Sequence, residues 1–587
     1  MRALPIVFVA VALVRCTPEP EPGPSGGGGG ATAPVIRAPQ PLYGGTVAVS
    51  SDGKTVLVSD PDRDQLYLVN VARPRVDARV VLAQGSTPVR AVDDGAGHFA
   101  VALRGTGKVA FVDQTNGELL NEFVVCPEPR GVSRKTPGTV LVACATGELV
   151  NLSSTGETTT RVLGVEGRDV VSTRSGIFMS SFRSAELFDV ATATTRRAPT
   201  LTLSTSAGFE PQVAWRTLLS SSGDIVMVHQ LERTGDVSLT QPRPGMAAVG
   251  GPYGGPATSP CPDSVMRNGV TVFSPGGSRT FEVPGVLPVD AALSPDGTTL
   301  VVANAGNHEL ASIDLTKPAT ESITRCGPTN QPPPAQGQQL QLEQPMGVAF
   351  TADGELVVHY RSPHALVIRN KSGAESTRLL LTTDQVDPLG FRLFHNATGA
   401  IACASCHPEG QEDGHVWTVG GSVRRTQQLS GGLLATAPFH WKGDLTTLSA
   451  VMQDTFVKRM GGTMPAAAAV GDLGRFLDAL PAPRAPTRMV PVADTAGRAA
   501  FAKAGCDGCH AGDRLGSNAT VNIGRAEAMQ VPSLVGVARR GPWMHDGCAK
   551  TIRQRFTDPT CGGTTHGEVA KLMPDELDDL VGWLETR

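Results

Sequence analysis

The chain has 587 residues, enough for several domains. Its formal charge of −4, from 51 Lys and Arg against 55 Asp and Glu, argues against a basic nucleic-acid-binding face. Aromatic residues make up only 5%, while 67 Gly and 45 Pro favour turns and short strands over long helices.

Residues 1–16 read as an export signal of the lipoprotein kind. Arg2 supplies the positive start, and Ala3 to Val14 form an apolar run too short to span a bilayer. Cys16 sits where lipid would be attached, although Arg15 stands where such signals carry a small residue. The expected location is the periplasm or cell envelope, with membrane association only through a lipid anchor at Cys16. Residues 17–40, with the run Gly26 to Gly30, are too polar and glycine-rich to build a core and read as a flexible tether.

Residues 41–385 carry a degenerate repeat. Its unit is an alternating apolar run, a glycine turn, a second run, a polar turn and a third run. The clearest copy runs from Pro288 to Leu315, and others begin near Gly44, Pro88, Pro129, Gly167, Pro211 and Pro345. Asp-Gly pairs at 52–53, 296–297 and 353–354 suit tight hairpin turns. Copies recur at roughly 40–45 residues, the period of a four-stranded propeller blade, and seven would close a ring without long exposed edges. An all-β seven-bladed propeller is expected.

At Asp387 the alternation stops and helical patterns begin, so the C-terminal part is expected to be mainly α. A helix is expected at Pro388 to Phe394 and another at Ala469 to Leu480, followed by a stiff linker, Pro481 to Pro486. A further helix runs from Asp494 to Ala504, and a closing one from Pro574 to Thr586 sets Leu577, Leu580, Val581 and Leu584 on one face. Residues 386–482 and 483–587 each hold one Cys-x-x-Cys-His motif, at 403–407 and 506–510, and each read as helix, motif, long loop and closing helix, the layout of a small cytochrome c domain.

The motifs are Cys403-Ala-Ser-Cys406-His407 and Cys506-Asp-Gly-Cys509-His510. Cys-x-x-Cys-His sets two thiols one helical turn apart, each able to add to a haem vinyl group, and puts an imidazole next to them as axial ligand. A zinc site of paired Cys-x-x-Cys motifs wants a gap of roughly 15–20 residues, far less than here, and a thioredoxin motif wants a βαβ context. Two covalent haems c are expected, attached through Cys403, Cys406, Cys506 and Cys509, with His407 and His510 on iron. Ca2+ is a further expected cofactor. Candidates for the sixth position are Met460, ahead of Met464 and His415, in the first unit, and His566, Met573 and His545 in the second. Cys126, Cys144, Cys261, Cys326, Cys548 and Cys561 remain. In an oxidising compartment they are expected to pair in sequence order, against the alternative of six buried thiols.

The run Ser294-Pro-Asp-Gly-x-x-Leu-x-Val-Ala-Asn304 resembles the YVTN/NHL class of propellers. The C-terminal part resembles the bacterial di-haem cytochrome c peroxidase superfamily, which includes the methylamine-utilisation enzymes. The likeness lies in the two haem motifs, Ala437-Pro-Phe-His-Trp441-Lys-Gly and, above all, Gly541-Pro-Trp-Met-His-Asp-Gly547. The whole arrangement is similar to propeller–di-haem lipoproteins of the myxobacterial type. The resemblance implies Trp441 between the two haems as an electron relay, against the alternative of a core aromatic. It also implies a Glu-Met pair where this chain has Lys458-Arg459-Met460. Arginine cannot exchange protons as that Glu does, but it can polarise an O–O bond, so Arg459 joins Trp441 as a candidate catalytic residue. The implied function is electron transfer, with cytochrome c peroxidase-like reduction of hydrogen peroxide as the enzymatic form. The expected partner is a small redox protein or a quinone-linked donor or acceptor. The alternatives are a propeller that binds a protein or ligand and carries accessory haems, and a di-haem oxygenase acting on an organic substrate.

Overall fold

Strands in the first part are apolar on both faces because each sheet is packed between two others. In the strand Thr55–Asp60, Leu57 joins Leu66, Leu68, Phe99 and Val101 in one buried cluster. Its neighbours Val56 and Val58 face the other way, joining Tyr67, Val357 and Leu366. Period-two alternation therefore sends successive residues to opposite neighbouring sheets. Burial fades outward: Arg75–Val81 and Thr158–Val162, the outermost strands of their sheets, are largely exposed.

The computed structural model describes residues 39–202, 208–237, 264–317, 343–384, 386, 388–398, 400–488, 494–525, 527–562 and 566–587. Cys16, Cys261 and Cys326, with the expected lipid anchor and the expected Cys261–Cys326 pair, lie outside them. Antiparallel sheets occupy 47–81, 88–124, 129–162, 167–197, 201–283, 288–314 and 345–380. Five have four strands. The fifth sheet gains Leu201–Thr202 as an extra strand, and the sixth shows three among the described residues. The leading strands, from Val47–Val49 through Pro88–Asp93 to Pro345–Phe350, lie side by side in order, and the last returns beside the first. The architecture is a seven-bladed β-propeller. Pro88, Pro129, Pro288 and Pro345 each open an inner strand, where a missing N–H is tolerated. Gly53 and Gly297 take φ of 72° and 74° in their Asp-Gly turns, a left-handed geometry that costs glycine nothing.

The C-terminal part holds α1 (Leu389–His395), α2 (Cys403–Cys406), α3 (Leu448–Val451), α4 (Ala467–Asp478), α5 (Asp494–Lys503), α6 (Ile552–Thr557) and α7 (Pro574–Leu584). The longest has 12 residues. Between them the chain is mostly turn and extended loop, with two short β-ribbons, so "mainly α" overstates the helical content. Two crossings organise it. α1 packs on α4 through Phe391, Phe394 and Phe476, and α5 packs on α7 through Phe501 and Trp583, whose ring centroids are 5.0 Å apart. No helix among the described residues is long and apolar enough to cross a membrane.

Candidate functional site

Both Cys-x-x-Cys-His motifs sit on single helical turns entered from the helices just described. α2 carries Cys403 and Cys406, and a 3-10 turn spans Cys506–Gly508. Residues three apart on such a turn face the same way. All four thiols are free, whereas Cys126 pairs with Cys144 and Cys548 with Cys561, at Cα separations of 6.4 and 5.5 Å. The Nδ1–H of His407 donates to the Gln411 carbonyl at 3.3 Å, and that of His510 to Leu515 at 3.0 Å. A carbonyl only accepts, so each ring keeps its lone pair on Nε2, the form a metal binds. Burial pushes His407 down to about 4 and lowers His510, so both imidazoles are neutral at physiological pH. Burial pushes the Cys403 and Cys506 thiols up to about 12 and about 11.

In the second unit, the rings of His510 and His566 have centroids 6.4 Å apart and planes 31° from parallel. Two imidazoles on one metal, with bonds of about 2 Å each and about 1 Å from nitrogen to ring centre, would be roughly 6 Å apart. His566 Nδ1 is buried without a hydrogen-bond partner. Burial, then the nearby Arg555 guanidinium, pushes this ring down to about 3. A Cβ on Gly567 would lie 3.7 Å from Cys506 Sγ, so His566 is brought in beside the motif itself. These residues fit a haem held between two imidazoles. Met573 caps the start of α7 and is 61% exposed, and His545 lies at the junction between the units, so neither shares His566's position.

The first unit differs. Met460 is buried in the cluster that also receives Cys403 and Cys406, while Met464 is 40% exposed. Arg459 pairs with Asp454 at 2.6 Å, and its charge, after burial, lowers His440. His415 is held among propeller groups, its Nε2 3.1 Å from the Arg233 carbonyl. Among the described residues, Cys126, Cys144 and Glu148 bring three ligand atoms within 4.8 Å of one another, but two of them form a disulfide.

The units repeat each other in detail. The turns around Phe439 and Trp543 close through matching bridges, Phe439 to Leu445 and Trp543 to Ala549. His440 and Met544 take φ of 68° and 70° at matching places. Trp441 and His545, also equivalent, meet at the junction with ring centroids 6.4 Å apart. The bonds across that junction are reciprocal. The Gln530 N–H donates to the Trp441 carbonyl and its side chain to Thr436, while the Arg425 N–H donates to the His545 carbonyl and its side chain to Arg540. Such exchange marks a local two-fold relation. Trp441 also donates its indole N–H to the Arg425 carbonyl at 2.8 Å.

The sequence reading missed Glu409, two residues past His407. Its side chain is 0% exposed and meets three propeller arginines from successive blades: Arg104 at 2.6 Å, Arg130 at 3.1 Å and Arg168 at 2.5 Å. Arg539 of the second unit reaches Glu128 and Glu166 of the propeller, both at 2.6 Å. The propeller thus seats both units through buried ion pairs. The only sequence signal was arginine at the second position of two inner strands, Arg130 and Arg168.

No family model and no curated protein matches this chain. Solved structures similar to it include hydrazine synthase of Kuenenia stuttgartiensis, at 16% identity and TM-score 0.40, covering 60% of this chain and 100% of that one. A streptogramin B lyase matches at 11% and 0.37, covering 55% and 92%. The dihydro-haem d1 dehydrogenase NirN matches at 14% and 0.32, covering 57% and 65%. At these scores the likenesses carry no argument about function. The resemblance to the di-haem peroxidase superfamily has no counterpart among them.

Proposed function

We propose that this chain is an exported di-haem c-type cytochrome that passes electrons, with the propeller as the seat of its haem units. The observation that carries the reading is the pairing of His510 with His566 beside free Cys506 and Cys509. The bound haem supplies one-electron exchange. The residues supply the rest: four thiols for attachment, His407 and His510 fixed as neutral ligands, and His566 closing the second site. A haem held by both His510 and His566 would have no position left for peroxide, which favours electron transfer there. In the first unit Met460 is the proposed cap and Arg459 is tied to Asp454, so peroxide or oxygenase chemistry there would need Met460 to leave. Trp441, packed against His545 at the junction, is the proposed relay between the units. The proposed location is the cell envelope, and the proposed partner is a small redox protein or a quinone-linked donor or acceptor.

The test is expression with a cytochrome c maturation system. Pyridine haemochrome analysis should give two haems c per chain. His566→Ala should convert one of them from six-coordinate to a form that binds CO. An unchanged spectrum in that variant, or zinc in place of iron, would refute the reading.

A further inference from the structure

The two imidazoles of the second unit are held in different ways. His510 donates from Nδ1 to the Leu515 carbonyl at 3.0 Å, which fixes its ring. His566 Nδ1 is buried without such a bond, so the place of this ring is set by its backbone. On the C-terminal side that backbone is tied to the motif, because the Glu568 N–H donates to the Ala504 carbonyl at 2.8 Å. On the N-terminal side the ties run to the loop closed by Cys548 and Cys561. Gly562, next to Cys561, takes φ of 87°, and a Cβ there would lie 3.6 Å from His566 Cβ. Arg555, in α6 inside the loop, donates to the His566 carbonyl. The disulfide thus closes the segment that delivers His566.

The two disulfides differ in their surroundings. Cys126 and Cys144 are 5% and 0% exposed, with the Glu148 carboxyl beside their sulfurs. Burial and a neighbouring carboxylate both disfavour a thiolate. Cys548 is half-buried, whereas Cys561 is fully buried. Arg525 stands beside Cys548, with Nη2 3.9 Å from the sulfur and 2.8 Å from the Thr560 carbonyl, to which it donates. The same nitrogen is 3.9 Å from the Asp546 carboxyl. A partly exposed sulfur next to a guanidinium favours thiol exchange, because the departing thiolate is stabilised.

We propose that Cys548–Cys561 is a redox latch on His566. A protein carrying a dithiol opens it, the imidazole leaves the sixth position, and the second site becomes open to a small ligand such as CO or peroxide. The proposal rests on the reading that His510 and His566 hold a haem between them. A donor thiolate attacks Cys548 Sγ, the S–S bond breaks, and Cys561 leaves as a thiolate that takes a proton. The donor's second thiolate then attacks its own sulfur in the mixed disulfide, and Cys548 leaves beside Arg525. Two electrons and two protons pass from the dithiol to the two cysteines, and the donor ends as a disulfide. Gly562 and Arg555 then belong to an open segment and no longer fix the His566 backbone. Reoxidation of the cysteines closes the loop and reseats the ring.

The test is CO binding to the full-length holoprotein, its iron reduced at an electrode so that the disulfide stays intact, with His566→Ala as the open reference. The second haem of the untreated wild type should bind almost no CO. Dithiothreitol, or Cys548→Ser combined with Cys561→Ser, should raise the CO-bound fraction there several-fold, toward that of His566→Ala. Peptide mapping after iodoacetamide should find Cys548 and Cys561 alkylated before Cys126 and Cys144. Removal of dithiothreitol and addition of oxidised glutathione should restore the closed spectrum, which a loss of folding would not allow. In His566→Ala, dithiothreitol should add nothing. A CO fraction unchanged by dithiothreitol, whether Cys548 and Cys561 are alkylated or never reached, overturns the latch alone. A spectrum unchanged in His566→Ala overturns the reading beneath it as well.

Discussion

Glu409 shows how one side chain can join two parts of a chain. Burial alone would raise its carboxyl, but Arg104, Arg130 and Arg168 outweigh that and hold it well below the usual range. Its backbone is left-handed, with φ of 58°, which turns the side chain out of the motif and into the propeller. Replacing Glu409 by Gln leaves three buried guanidiniums short of their counter-charge. The expected cost is about 3–5 kcal/mol, read by chemical denaturation, because removing one partner strands the others. Glu409→Asp keeps the charge and should recover part of it. A loss below about 1 kcal/mol in Glu409→Gln would show the cluster to be solvated rather than buried. Charge alone did not mark this residue in the sequence. A Glu two places after a Cys-x-x-Cys-His motif reads as a surface group until three arginines, remote in sequence, are seen to surround it.

At the scale of helices, the paired crossings depend on glycine. A Cβ on Gly497 in α5 would meet Trp583 Cβ at 2.1 Å and the Asp579 carbonyl at 3.0 Å. Gly390 in α1 is as close to the backbone of Asp472 and Leu473 in α4. Each of these glycines is followed four residues later by the aromatic that fills the crossing, Phe394 or Phe501. Gly497→Ala should therefore destabilise by roughly 1–3 kcal/mol in a thermal melt, despite the better helix propensity of alanine. Gly471→Ala is the contrast. It is exposed in α4 and meets only the Arg475 guanidinium, at 3.6 Å, so it should stabilise by up to about 1 kcal/mol. If Gly497→Ala melts above the wild type, the crossing is looser than described. The Gly-x-x-x-aromatic spacing was present in both halves of the sequence, but spacing alone does not show that a helix crosses there.

For the whole molecule, the seat between the propeller and the two C-terminal units sets an acid limit. Burial would raise Glu128, but Arg539, Arg104 and Arg130 outweigh it and hold it at about 2. Glu166 is likewise held below the usual range by Arg183, Arg539 and Arg130. A carboxyl depressed in the folded state stabilises fully above its ordinary value of 4.5, and that contribution is lost as pH falls through about 2. Buried His229, pushed down to about 4, adds an earlier loss, because the unfolded chain takes up that proton from 6.5 downward. Melting temperature should thus fall below about pH 6.5 and fall further below about pH 4.5. Limited proteolysis should show the C-terminal part released only in the second window. Release at neutral pH in high salt would show that surface charges, not the buried pairs, hold it.

The sequence by itself determined what is local or covalent. Period-two alternation and Asp-Gly turns repeat every blade, so seven blades could be counted along the chain. Cys-x-x-Cys-His is a contiguous arrangement, so the proposal of haem attachment could be made without knowledge of the fold. The pairing of Cys126 with Cys144 and of Cys548 with Cys561 followed from closeness along the chain. Tertiary structure decided what depends on approach through space. It put His566 rather than Met573 opposite His510, and it took His415 away from the first motif's sixth-ligand candidates to stand between two glutamates. It also drew Glu409 into the arginines of three blades. A ligand or counter-charge acts only within a few ångströms, and that distance belongs to the fold, not to sequence separation.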